Sequence, residues 1–164
     1  MTSHRSVGVK NFLVAASFIL PIGVLLWMMV AGINGYIDFA QKEIHGNEYQ
    51  VALEQVLEAV LNQKAAAVEC ARTGGECSAR SLEWAPKVEA GFAAVKSANA
   101  KFGVALEFTP AGLGQRGRQA LMPDQVAARW KGITASYAAR PATTSAAAFD
   151  AVIQDTRGMI THVG

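Results

Sequence analysis

Clustered basic charge is missing from this 164-residue chain, whose net charge of +2 is spread along its length. A nucleic-acid surface needs a basic stripe, so no nucleic-acid partner is expected. Histidine is scarce too. His4, His45 and His162 lie far apart, none has a partner at the HExxH spacing, and none sits beside a carboxylate in a metal motif. Serine, cysteine and lysine side chains have no evident base near them. Catalysis is therefore not expected, and neither are a cofactor or a bound metal. Only two cysteines are present, Cys70 and Cys77, which is too few for a metal site. They bracket ARTGGE, where Gly74-Gly75 makes a turn easy. In an oxidising compartment a small disulfide loop competes with two free thiols near a helix end. No stretch reads as a strand.

What is present begins with Phe12–Ile33, FLVAASFILPIGVLLWMMVAGI, which contains no charged residue and one hydroxyl, Ser17. At about 1.5 Å per residue, a helix of this length covers roughly 33 Å, enough for a hydrocarbon core of about 30 Å. Pro21 sits mid-span, where a membrane helix tolerates it better than a soluble one. His4, Arg5 and Lys10 precede the span. Asp38, Glu43 and Glu48 follow it, against Lys42. The positive-inside rule then keeps residues 1–11 in the cytoplasm and sends 34–164 across. A cleaved signal peptide shares the basic start, with Val30-Ala31-Gly32 as a small-residue site. Its apolar region is normally only about 7–15 residues, so a retained anchor is the favoured reading. A buried soluble helix is disfavoured, because about 130 further residues hardly wrap it on all sides.

The helical pattern continues past the span. Ile33, Ile37, Ala40, Ile44, Asn47 and Val51 alternate steps of four and three, the spacing of a seam that meets a partner helix. Leu53, Val56, Leu57, Val60 and Leu61 carry a broader apolar face toward Cys70, after a register shift near Val51–Leu53. The helix is expected to end at Thr73-Gly74-Gly75. A second helix is expected over Ser81–Leu106, with Pro86 in its first turn or at a kink. Its seam is Val88, Phe92, Val95, Asn99, Phe102 and Leu106, with Asn99 as the polar register-setter.

Thr109–Arg118 reads as a loop. Gly112, Gly114 and Gly117 match the letters of a dinucleotide fingerprint but lack the preceding strand, so a nucleotide site is not expected. Arg116 and Arg118 are read as solvated, with an acidic ligand as the alternative. A third helix opens at Pro123-Asp124 and runs through Val126, Trp130, Ile133 and Tyr137 to Arg140-Pro141. A fourth starts near Thr143–Ser145, and Phe149, Ile153, Thr156, Ile160 and Val163 keep its rhythm to the last residue. That unbroken rhythm raises the expectation of a longer protein. Asp150, Asp155 and Arg157 exclude this helix as a second span. The expected architecture is all-α: one membrane helix running into an antiparallel bundle of about four helices.

Glu54 and Glu58 share a helix face, but the Glu-x-x-His pairs of a di-iron bundle are missing, so an exposed acidic face is the better reading. Trp84, Trp130, Tyr49 and Tyr137 are read as core, with a ligand cleft between helices as the alternative. The sequence assigns no ligand-binding residue.

Two stretches resemble a known family. Asp38, Phe39-Ala40, Lys42-Glu43, Gly46 and Tyr49 resemble the segment just outside the first membrane helix of bacterial methyl-accepting chemotaxis receptors, which related sensor kinases share. The C-terminal His162-Val163-Gly164 resembles a His-Val-Gly in the same group. The resemblance implies the extracytoplasmic sensory piece of such a receptor: anchored in the inner membrane, homodimeric, and bound to an unspecified small molecule or protein. In such receptors the chemotaxis kinase and coupling protein dock on a cytoplasmic coiled coil, which follows a second membrane helix and a HAMP linker. None of those parts is in this sequence. The input region of a sensor kinase or cyclase, and a complete single-span interaction protein, are the competing readings.

Overall fold

A computed structural model describes residues 3–73, 83–136 and 142–163. The chain is all-α, with no strand among the described residues. Its elements are α1 (Ser3–Thr73), α2 (Ala85–Phe102), α3 (Pro110–Gln115), a 3-10 turn at Gln119–Leu121, α4 (Pro123–Ser136) and α5 (Ala142–Val163). The chain divides into two compact units, Met1–Gln41 and Lys42–Gly164.

The first unit is helical from Ser3, well before the Phe12 at which the apolar run begins. Pro21 lies inside the helix, and Ser17 Oγ donates to Val14 O at 2.7 Å. Its apolar side chains are exposed, Phe12, Leu20, Trp27 and Tyr36 among them. Such a surface is costly in water and favourable in hydrocarbon. Among the described residues α1 is the one helix long and apolar enough to cross a membrane.

The second unit holds the core. The remainder of α1 packs with α2, α4 and α5. Antiparallel order follows from the contacts. Tyr49 meets Asn99 and Val56 meets Gly91, so α2 runs against α1. Lys64 pairs with Asp150 and Gly46 abuts Val163, so α5 also runs against α1. Arg129 bonds Asp155 while Leu121 meets Gly158, so α4 runs against α5 and with α1. The buried face of α1 is Tyr49, Ala52, Leu53, Val56, Ala59, Val60, Gln63 and Ala67, at the three-and-four spacing of one helical stripe. Gly91 has a specific reason to be glycine. A Cβ there would stand 2.8 Å from Val56 Cγ2 and 3.1 Å from Val56 N, so only a bare backbone lets α1 and α2 approach this closely.

The helix ends refine the expected boundaries. Pro86 falls in the first turn of α2 and does not kink it. That helix stops at Phe102, short of Leu106, because Glu107 turns the chain at φ +56 and Phe108 N returns to Gly103 O at 2.7 Å. Thr109–Arg118 is not the open loop expected from its glycines. Thr109 caps α3 by accepting a hydrogen bond from Gly112 N at 3.1 Å, and Pro110 suits its first turn. The chain before Gly112 is therefore turn and helix, not the strand that precedes the glycines of a dinucleotide fingerprint. α5 starts at Ala142, so Thr143–Ser145 lie within its first turn and do not precede it. Gly74-Gly75, Cys77, Ser81, Tyr137 and Arg140-Pro141 lie outside the described residues, as does the side chain of Cys70. The disulfide expectation is therefore not addressed.

Candidate functional site

Most of the expected seams are core. Val88, Phe92 and Val95 of α2, Val126, Trp130 and Ile133 of α4, and Phe149, Ile153 and Thr156 of α5 are buried together. On α1 the expected face at Leu53, Val56 and Val60 is core as well, and the exception is the seam before it. Ile37, Ala40, Ile44, Asn47 and Val51 are all exposed, Ile44 at 57% and Val51 at 56%. Among the described residues none packs over this stripe. The register shift near Val51–Leu53 explains the difference: the core face of α1 starts at Tyr49 and lies on the other side of the helix.

Two of the histidines gather at the Lys42 end of the bundle. His45 stacks on Phe102, with ring centroids 4.7 Å apart. His162 meets Phe108 edge-on at 4.9 Å, and Phe108 stacks on Tyr49 at 5.1 Å. Tyr49 donates its hydroxyl to Asn99 Oδ1 at 3.2 Å, and burial pushes its phenol pKa up, so it stays neutral. Neither ring nitrogen of buried His162 has a hydrogen-bond partner, nor does His45 Nδ1. Desolvation holds the His162 pKa below the ordinary imidazole value, and the charges of Arg116 and Arg118 push it the same way. The backbone at Leu106 and Glu107 opposes this. Arg116 itself pairs with Glu107. Its partner is thus a side chain of the same fold, and an acidic ligand is not needed to explain it.

The aromatic residues separate. Tyr49 is core. Trp84 is half-buried, with Lys87 Nζ 4.0 Å above its ring, a cation–π contact. Trp130 is core, and its Nε1–H donates to Gln63 Oε1 at 2.8 Å. It also forms, with Phe92, the floor of a groove between α2 and α4, their ring centroids 6.0 Å apart. The groove encloses about 340 Å³. Pro123, Ala93 and Ala127 complete its apolar lining, and Glu89, Lys96, Asp124 and Lys131 stand around its mouth. This volume, an apolar floor and a few charged groups match the usual make-up of a small-molecule site. The four charges were not singled out from the sequence as a group. The available signal was an acid and a base seven residues apart on both helices, which leaves each pair on one face.

Glu54 accepts a hydrogen bond from Gln50 Nε2 at 3.0 Å on an exposed face. Glu58 lines a shallower groove with Trp84 and Lys87. Among the described residues no group of three or more His, Cys, Asp or Glu side chains is placed to hold a metal ion. Comparison with family models, with curated proteins and with solved structures finds no match to this chain.

Proposed function

We propose that the chain is the membrane-anchored sensory region of a chemotaxis receptor of the methyl-accepting kind. Its N-terminus lies in the bacterial cytoplasm and its bundle on the periplasmic side of the inner membrane. One observation carries the reading: a single helix, Ser3–Thr73, whose early part is apolar and uncovered and whose later part supplies a face of the bundle core. A signal received among the outer helices then has a continuous backbone through which to act, provided the two arrangements bind the signal differently. Arg5 and Lys10 before the span, with Asp38, Glu43 and Glu48 after it, support the orientation. The uncovered stripe Ile44–Val51 on α1 supports a homodimer in which a second copy covers it.

The test joins the chain, at its C-terminus, to the second membrane helix and cytoplasmic part of a well-characterised receptor, in cells lacking other receptors. The expected result is kinase output that responds to compounds added outside the cell. Alkaline phosphatase fused after Gly164 is expected to be active, and Ile44→Cys, in a background without Cys70 and Cys77, is expected to cross-link two copies. An inactive phosphatase fusion would reverse the orientation. A chimera that reaches the membrane and never responds would leave the interaction-protein reading ahead.

A further inference from the structure

We propose that His162 is a proton-operated latch at the Lys42 end of the bundle. Protonated, its ring donates from both nitrogens to Leu106 O and Glu107 O and draws the last turn of α5 away from Gly46 of α1. The starting point is an anomaly of burial. His162 is 9% exposed, yet neither ring nitrogen has a hydrogen-bond partner. Buried polar groups are nearly always bonded, so such an exception calls for a physical reason. The carbonyls of Leu106 and Glu107 lie beside the ring and favour its charged form. Among the described residues no backbone amide donates to either of them. A neutral imidazole has one N–H and one lone pair, whereas the imidazolium has two N–H donors. Only the protonated ring therefore suits two acceptors, and each bond is then charge-assisted. The neutral ring has an apolar alternative, its edge-on contact with Phe108 at 4.9 Å.

The surrounding charges decide when the latch moves. Burial disfavours the imidazolium, and Arg116 and Arg118 repel it, so the ring stays neutral until the medium is acidic. The Glu107 carboxylate is bonded to Arg116 and is not offered to the ring. On α1, Tyr49 is held neutral by burial and His45 stacks on Phe102. Lys42 and Glu43 of α1, Lys101 of α2 and Arg157 of α5 are exposed, where water and salt screen them. What moves is set by the seat of α5 on α1. Val163, next to His162, presses its carbonyl oxygen against Gly46, where an added Cβ would stand only 2.7 Å away. The two backbones meet there with no side chain between them. A ring that swings toward Leu106 and Glu107 carries Val163 with it, and packed helices answer such a pull by shifts of about 1–2 Å.

The latch goes beyond the sensory reading and does not rest on it, since it is read without any signalling output. The full chain in detergent micelles, with isotope-labelled histidine, is followed by NMR from about pH 4.5 to 8, and His162→Leu assigns the His162 signals. Both ring nitrogens are expected to reach the shifts of a hydrogen-bonded imidazolium together, with a midpoint below the ordinary 6.5. Spin labels at Asn47→Cys and Thr161→Cys, both exposed, in a background without Cys70 and Cys77, report the spacing of α1 and α5. Labelled chains are diluted into unlabelled ones, so that only distances within one copy count. That spacing is expected to change by about 1–2 Å at the same midpoint, while helix content by circular dichroism stays constant. His162→Leu abolishes the change. Arg118→Met, which keeps the ring and removes a repelling charge, moves both midpoints to higher pH together, and this arm stands even where His162→Leu fails to fold. A spacing indifferent to pH, a change that survives in His162→Leu, midpoints that Arg118→Met leaves in place, or loss of helix at the midpoint would each overturn the latch.

Discussion

Gln63 and Trp130 are each 1% exposed, and their 2.8 Å hydrogen bond links α1 to α4 across the core. Gln63→Leu keeps the volume and removes the acceptor. The indole N–H then has no partner, a cost of about 1–3 kcal/mol, partly offset by the added apolar burial. The net expectation is a loss of about 1–2 kcal/mol. Trp130→Phe removes the donor, strands the amide oxygen and leaves space where the larger ring stood, for about 2–4 kcal/mol. The double variant leaves neither polar partner unmet. Its loss is expected to fall short of the summed single losses by about 1–2 kcal/mol, the signature of direct coupling. The measurement is urea unfolding of the full chain in micelles, followed by far-ultraviolet circular dichroism. Single effects that add to within about 0.5 kcal/mol would refute the reasoning, because the two residues would then be energetically independent.

Gly91→Ala is expected to destabilise the bundle by about 1–2 kcal/mol in the same assay. Overpacking against Val56 costs more than the roughly 1 kcal/mol that alanine gains in helix propensity. His162 makes stability depend on pH. Its folded pKa lies below the ordinary value of 6.5, so between those values the unfolded chain binds more protons. Stability is then complete above about pH 6.5 and declines as pH falls below it, and unfolding of His162→Leu across pH 5 to 8 is expected to lose that part of the slope. Arg129→Met removes a pairing with Asp155 at 2.8 Å and a hydrogen bond to Ala120 O at 2.6 Å. Both sites are partly exposed, so the expected loss is only roughly 1 kcal/mol in thermal unfolding.

The sequence by itself determined the all-α class, the apolar span and the core faces of α2, α4 and α5. Each rests on local periodicity, which a helix converts directly into a face. Phe92, Trp130 and Phe149 were legible for that reason. The path of Thr109–Arg118 was not, because a hydroxyl cap and a proline turned a glycine-rich stretch into a short helix. On α1 the sequence showed the face carrying Leu53, Val56 and Val60, and tertiary structure alone decided that this face is core while the earlier stripe is not. Two apolar stripes coexist on that helix, and only the neighbours at Asn99, Gly91 and Val163 select Tyr49–Ala67 and leave Ile44 and Val51 uncovered. It alone decided the groove, since Lys96 and Asp124 stand far apart in sequence and face each other only because α2 and α4 run in opposite directions. Periodicity fixes what a helix presents on each side, and packing decides which residues from distant helices meet.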